Sequence, residues 1–183
     1  MAHEGTMMRT ILLVDDEVNV LNALQRVLRQ QLHIEGLRIE AFTNPLAALQ
    51  RCCECSFDVV ISDYRMPELS GIELLHTLKE IAPCTVRIML SASTEFDTVA
   101  SSIAEAQVFR YIAKPWQSDE LLANVRLALL HRDELLKQQQ QLASEQRRRD
   151  DMLTPQQIEA QLLEEDEPGM LNVKWGPNGE IML

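Results

Sequence analysis

The chain has 183 residues, of which 17 are basic and 28 acidic, giving a formal charge of −11. Its length allows one domain of ordinary size, or one domain plus an extension, and 46% apolar residues are enough for a packed core. The acidic balance argues against general affinity for nucleic acid or anionic membranes, no apolar run is long enough to span a bilayer, and Met1–Arg9 lacks a signal-peptide segment, so a cytoplasmic location is expected.

Strand and helix signals alternate from Arg9 to about Leu130. Ile11–Val14 is a continuous apolar run, as expected of a strand covered on both faces. A helical stripe follows, with Val20, Leu24, Val27 and Leu28 on one side. Leu37–Phe42 alternates and predicts a second strand. Asn44-Pro45 predicts a helix start, with Asn as N-cap and Pro in the first helical position. Cys52, Cys53, Cys55 and Cys84 do not form two Cys-x-x-Cys pairs, and are read as small, partly buried, reduced residues.

Asp58–Ser62 is the expected third strand. Ser70-Gly71-Ile72-Glu73 fits a capping box, followed by Leu74, Leu75, Leu78 and Ile81 at helical spacing, with Pro83 ending the helix. Val86–Leu90 predicts the fourth strand, Glu95–Ala106 a helix, and Arg110–Ala113 the fifth strand. Ser118 is the expected cap of a last helix whose first turn carries Asp119 and Glu120, which suits the helix dipole. Five β-α pairs in this order specify an α/β, doubly wound parallel sheet with helices on both faces.

Helical composition continues through Arg132–Arg149 with few apolar residues. Leu135 and Leu142 are seven apart, as in a coiled-coil seam, but the alternate seam positions are polar. This segment is expected to project into solvent and to pair weakly with a copy of itself. Asp150–Pro168 holds seven acidic residues and no basic one, with a short helix starting at Thr154-Pro155. Leu171–Trp175 and Glu180–Leu183 flank Gly176-Pro177-Asn178-Gly179, a hairpin signal. The expected organisation is therefore a domain over 9–131, a helical extension over 132–153 and an acidic tail over 154–183.

Five scattered residues share one context. Asp15, Asp16, Asp63, Ser91 and Lys114 each sit at or just past the C-terminal end of an expected buried strand. Ligands bind beyond the carboxyl ends of strands in an open parallel sheet, so these residues should converge. Three carboxylates, a hydroxyl and an ammonium at one spot suit a divalent cation and a phosphoryl group.

Leu13-Val14-Asp15-Asp16-Glu17, Val60-Ile61-Ser62-Asp63-Tyr64-Arg65-Met66-Pro67 with Gly71, Leu90-Ser91-Ala92 and Lys114-Pro115 resemble the receiver domain of bacterial two-component response regulators. Spacings of 47, 28 and 23 residues separate Asp16, Asp63, Ser91 and Lys114. The resemblance covers roughly Arg9 to His131. It implies a flavodoxin-like five-stranded sheet of order 2-1-3-4-5. It implies that Asp63 accepts a phosphoryl group from a histidine kinase or phosphotransfer protein, and that the domain catalyses only its own phosphorylation and dephosphorylation. Asp16 and Asp63 would ligate Mg²⁺ directly, Asp15 through water, and the Arg65 carbonyl would add an oxygen. Lys114 and Ser91 would meet phosphoryl oxygens, Ser91 and Tyr111 would act as the switch, and Arg65 and Ser93 would border the phosphoryl group. The Lys114–Pro115 bond is expected to be cis. The string Arg110–Trp116 is similar to receivers attached to cyclic-dinucleotide phosphodiesterases or histidine-kinase modules, and Trp116 is expected to pack at the start of the last helix.

The leading expectation for output is protein–protein interaction with a downstream partner, or a homodimer, with no nucleic acid and no membrane. Three alternatives stand beside it. One is a DNA-acting transcriptional regulator using a small C-terminal module, for which Arg147-Arg148-Arg149 is the only basic cluster. Another is a constitutive scaffold. The third is a hydrolase of small phosphate esters, which lacks an evident cap or substrate segment.

Overall fold

The computed structural model describes residues 8–92, 106–152, 174–175 and 181–182. Ser93, the helix expected over Glu95–Ala106 apart from Ala106 itself, the helix expected at Thr154-Pro155 and the turn at 176–179 lie outside these residues. The strands are β1 (Thr10–Val14), β2 (Arg38–Phe42), β3 (Val59–Asp63), β4 (Val86–Ala92) and β5 (Arg110–Lys114). The helices are α1 (Val18–Gln31), α2 (Pro45–Glu54), α3 (Gly71–Ile81) and α4 (Ser118–Met152). The chain divides into two compact units, Met1–Leu136 and Lys137–Leu183.

In the first unit the sheet order is β2-β1-β3-β4-β5, and every neighbouring pair is parallel. Alternation along each strand splits the core into two layers. Ile11, Leu13, Val59, Ile61, Ile88, Leu90 and Ile112 point to one side. There they meet Leu21, Leu24 and Leu28 of α1 and Leu121, Val125 and Leu129 of α4. Leu12, Val14, Val60 and Met89 point to the other side and meet Ala48 of α2 with Leu74, Leu75 and Leu78 of α3. The sheet is thus covered on both faces, which is why its strands read as continuous apolar runs.

The helix starts follow their local chemistry. Asn44 Oδ1 accepts a hydrogen bond from Ala47 N at 3.0 Å, with Pro45 opening α2. Ser70 and Glu73 complete a reciprocal capping box on α3. The N-cap of α1, Glu17, makes no side-chain cap bond.

Several expectations shift. Leu21 joins the buried stripe of α1, whereas Val20 and Val27 pack only partly. Ile81 is 47% exposed because α3 ends there, one residue before its C-cap Ala82. The third strand begins at Val59 rather than Asp58, whose carboxylate instead accepts from Thr10 N at 2.7 Å at the start of β1. Ser118 is the first residue of α4 rather than its cap, since the Gln117 carbonyl accepts from Leu121 N at 3.0 Å.

Ion pairs tie α4 to the end of the sheet away from the strands' carboxyl ends. Arg9 donates two hydrogen bonds of 2.8 Å to the Asp133 carboxylate. Arg132 is buried, and its Nε lies 3.6 Å from Asp58 Oδ1. In the second unit β6 (Lys174–Trp175) pairs antiparallel with β7 (Ile181–Met182), as the hairpin signal predicts. No helix among the described residues is long and apolar enough to cross a membrane.

Gly71 has a steric reason to be glycine. A Cβ there would stand 1.8 Å from the Asp63 carbonyl oxygen and 2.8 Å from its carbon. The neighbour is backbone, so a side chain cannot swing aside to make room. Gly71→Ala is expected to cost about 2 kcal/mol or more in urea unfolding, with α3 displaced from the end of β3. Leu75→Ala, at 0% exposure, is expected to cost about 2–5 kcal/mol, whereas Leu46→Ala, at 50% exposure, stays within about 0.5 kcal/mol.

Candidate functional site

The sheet register brings the strand ends together. Val14 pairs with Ser62, Asp63 with Leu90, Ser91 with Ala113 and Ala92 with Lys114. Asp15 and Asp16 follow β1, Asp63 ends β3, Ser91 lies near the end of β4, and Lys114 ends β5.

Three of the expected residues are in direct contact. Lys114 Nζ donates to Asp15 Oδ2 at 2.7 Å and is ion-paired with Asp63 Oδ1. Each carboxylate spends its other oxygen on backbone. Asp15 Oδ1 accepts from Glu17 N at 2.9 Å, and Asp63 Oδ2 accepts from Arg65 N at 2.8 Å. Asp15 is fully buried and Asp63 only 6% exposed, so two carboxylates share one ammonium largely away from water.

Burial is the largest influence on Asp63 and pushes its carboxyl above the ordinary carboxylate value. Lys114 and the Arg65 N–H oppose the shift without cancelling it, and the charge of Asp15 adds to it. Burial also works against the charge on Lys114, but the hydrogen bonds to Asp15 and Asp63 prevail and hold its ammonium above the ordinary lysine value.

The remaining expected residues stand around this core. Asp16 is exposed beside Asp15. Ser91 is buried on β4. Tyr111 packs partly against the α2–α3 layer, and its hydroxyl donates to the Ala92 carbonyl at 2.9 Å. The Lys114–Pro115 bond is cis. Trp116 packs partly against the α1–α4 layer, as expected.

Among the described residues, no three His, Cys, Asp or Glu side chains gather as a metal-binding group. Lys114 is bonded to both Asp15 and Asp63, whose oxygens would serve a cation. The donors themselves are hard oxygens, as Mg²⁺ prefers, and their excess negative charge fits a divalent cation.

Two features were passed over in the sequence. Arg87 is a buried guanidinium inside the apolar run of β4, donating to the Thr85 and Ala106 carbonyls at 2.8 and 3.1 Å. A basic residue within an otherwise apolar strand was the available signal. Ser62 Oγ donates to the Asp63 carbonyl at 3.0 Å, next to the close approach of Gly71. The cysteines are free thiols, and burial pushes Cys52 up to about 12, which leaves it without thiolate character near neutrality.

The profile of the response regulator receiver domain family matches residues 11–126. The hydrogenase transcriptional regulatory protein HoxA of Cupriavidus necator is 35% identical over 120 residues, covering 66% of this chain and 24% of that protein. The DNA-binding transcriptional regulator NtrC of Escherichia coli K12 is 33% identical over 121 residues, covering 66% and 25%. The chain thus spans about a quarter of the length of these relatives. The signal receiver domain of an HD domain-containing protein from Pseudomonas fluorescens Pf-5 superposes with a TM-score of 0.64 at 31% identity, covering 69% of this chain and 98% of that one. The names of the two regulators give no support to the expectation that nucleic acid plays no part. With a five-stranded parallel sheet in the order 2-1-3-4-5 and a family match over most of its length, the chain belongs to the response regulator receiver domain family.

Proposed function

We propose that Asp63 accepts a phosphoryl group from a histidine kinase or phosphotransfer protein, and that the chain signals through a protein partner or through self-association. The observation that carries this is the buried Asp63 carboxylate at the end of β3, held by an ammonium that it shares with Asp15. A carboxylate oxygen of Asp63 attacks phosphorus, the bond from phosphorus to the donor nitrogen breaks, and its electron pair leaves with the imidazole. The product is an acyl phosphate on Asp63. The domain catalyses this transfer and its hydrolysis on itself alone.

Asp15, Asp16, Asp63 and the Arg65 carbonyl would hold Mg²⁺, which when bound offsets the negative charge facing the incoming phosphoryl oxygens. Lys114 gives up Asp15 and follows the new charge to a phosphoryl oxygen. Ser91 donates its hydroxyl to another. Phosphorylation adds roughly −1.5 to −2 charges at neutral pH, enough to reorder these partners. Tyr111 then leaves the Ala92 carbonyl and turns inward. The receiver occupies 9–131, with the helical extension over 132–153 and the acidic tail over 154–183 as its route to partners.

The relatives support a second reading of output. Longer proteins, of which the shared region makes up about a quarter and which are named as transcriptional and DNA-binding regulators, support a role of the receiver in transcription. Arg147, Arg148 and Arg149 are exposed near the end of α4. Salt-sensitive binding of the full chain to duplex DNA would favour this reading; its absence favours a protein partner.

The direct test is intact mass after incubation with acetyl phosphate and Mg²⁺. Wild type should gain one phosphoryl group and Asp63→Asn none, and label on Asp63→Asn would overturn the assignment. The rate of uptake should fall as pH drops through the raised pKa of Asp63, because the nucleophile must be ionised. The same shift sets a stability expectation. The folded chain holds the Asp63 proton at pH values where the unfolded chain has lost it, so stability falls as pH rises through that window. Urea unfolding should therefore find Asp63→Asn at least as stable as wild type at pH 7, with the advantage gone below the ordinary value of 3.8. Lys114→Met should act oppositely. Its pairing stabilises the fold at pH 7 and is lost only as pH rises through its raised pKa, so the variant should lose about 2 kcal/mol at neutral pH by leaving two buried carboxylates without a cation.

A further inference from the structure

Cys52, Cys53 and Cys55 crowd the C-terminal end of α2 and take no part in the phosphoryl chemistry. Cys55 is the C-cap, with extended backbone, and its N–H donates to the Arg51 carbonyl at 3.1 Å. Helix geometry sorts the three. Cys52 and Cys55 are nearly one turn apart, which sets their Cα atoms about 5 Å from one another. Both pack partly against the α2–α3 layer of the core. Cys53 turns about 100° away from Cys52 and is exposed. Disulfides span Cα separations of roughly 4.4–6.8 Å. Adjacent residues, at about 3.8 Å, fall below that range. Residues two apart, as Cys53 and Cys55 are, point to opposite sides of a helix. Within the trio, Cys52 and Cys55 alone meet both the spacing and the direction that a bond needs.

The helix end disfavours a thiolate. The Arg51 guanidinium is occupied by Glu40 at 2.8 and 3.1 Å and by Glu54 at 2.9 Å. Cys55 Sγ donates to the Arg51 carbonyl at 3.5 Å. Burial pushes the Cys52 thiol up to about 12, and Cys55 adds more to that rise than the adjacent Cys53 does. A thiol held in its protonated form attacks slowly, yet as a thiolate it is also a poor leaving group. A disulfide built from it therefore forms slowly and resists reduction. The bond carries no charge, so the burial that penalises a thiolate does not penalise the bond.

We propose that Cys52 and Cys55 form an oxidisable dithiol at the end of α2, which hydrogen peroxide converts to an intramolecular disulfide. The Cys55 sulfur, at the end of the helix, attacks one peroxide oxygen. The O–O bond breaks, leaving a sulfenic acid on Cys55 and releasing water. The Cys52 sulfur then displaces the hydroxyl, which leaves as a second water with the thiol proton, and the S–S bond forms. Two thiols are oxidised and one peroxide is reduced. The closed loop holds only four residues, so it removes little freedom from the unfolded chain. The bond thus registers exposure to oxidant rather than holding the fold together.

Thiol counting on the full chain tests this. After peroxide treatment and alkylation with N-ethylmaleimide, the intact mass of wild type should show two of its four thiols blocked from alkylation, with no covalent dimer. Dithiothreitol should restore all four. Cys53→Ser and Cys84→Ser should each still form the bond, leaving one thiol to alkylate. Cys52→Ser and Cys55→Ser should each lose it, and Cys52→Ala and Cys55→Ala should repeat that result, with circular dichroism confirming that every variant is folded. Four thiols still open to alkylation in peroxide-treated wild type, a bond lost in Cys53→Ser or Cys84→Ser, or one that persists without Cys52 or without Cys55 would each overturn the proposal.

Discussion

The structure depends on one ammonium shared by two buried carboxylates. Asp15 and Asp63 end adjacent strands, and at that distance from water neither could stay ionised beside the other without a cation. Lys114 supplies it from β5, reaching across the end of β4, where the intervening residues, Ser91 and Ala92, are small. This arrangement needs the sheet order β1-β3-β4-β5. It also needs α3 to sit close against the end of β3, which Gly71 allows. One positive charge against two leaves a net negative site, with Asp16 exposed next to it. On the proposed reading this is the resting state that takes up a cation and then a phosphoryl group, and the Lys114 bond to Asp15 is the contact exchanged when it does.

Much of this was legible because the chemistry sits at strand ends. In a sheet covered on both faces, strands are unbroken apolar runs, and the first polar residues after them mark the carboxyl edge. Asp15, Asp63, Ser91 and Lys114 all fall at such transitions. The caps at Asn44 and Ser70 were equally plain, because a side chain two or three residues from its partner carries its own geometry. What stayed hidden depends on tertiary context. Leu21 and Ile81 both fit an apolar stripe, yet one is buried and the other lies past the useful end of its helix. Strand limits slipped by a residue where side chains compete with the ladder, as Asp58 does by accepting from Thr10 N. Nor could spacing reveal that Lys114 would hold both aspartates. That is a matter of rotamers and charge balance, which a string of residues does not display.

Function beyond the site is spread over surfaces that obey different rules. The core of the receiver is apolar and set by periodicity, so its relatives share it even within proteins several times longer. The outer face of α4 is set by what it meets. Leu127 and Leu130 stay exposed there, while Leu121, Val125 and Leu129 of the same helix are buried in the core.

The measurement closest to the central claim is a crystal structure of the chain with Mg²⁺ and beryllofluoride, which mimics a phosphoryl group on a carboxylate. The account predicts beryllium on an Asp63 oxygen, the metal on Asp16, Asp63 and the Arg65 carbonyl, and Lys114 Nζ moved from Asp15 to a fluoride. A structure in which Lys114 still joins Asp15 to Asp63, with neither metal nor beryllofluoride at the carboxylates, would contradict it.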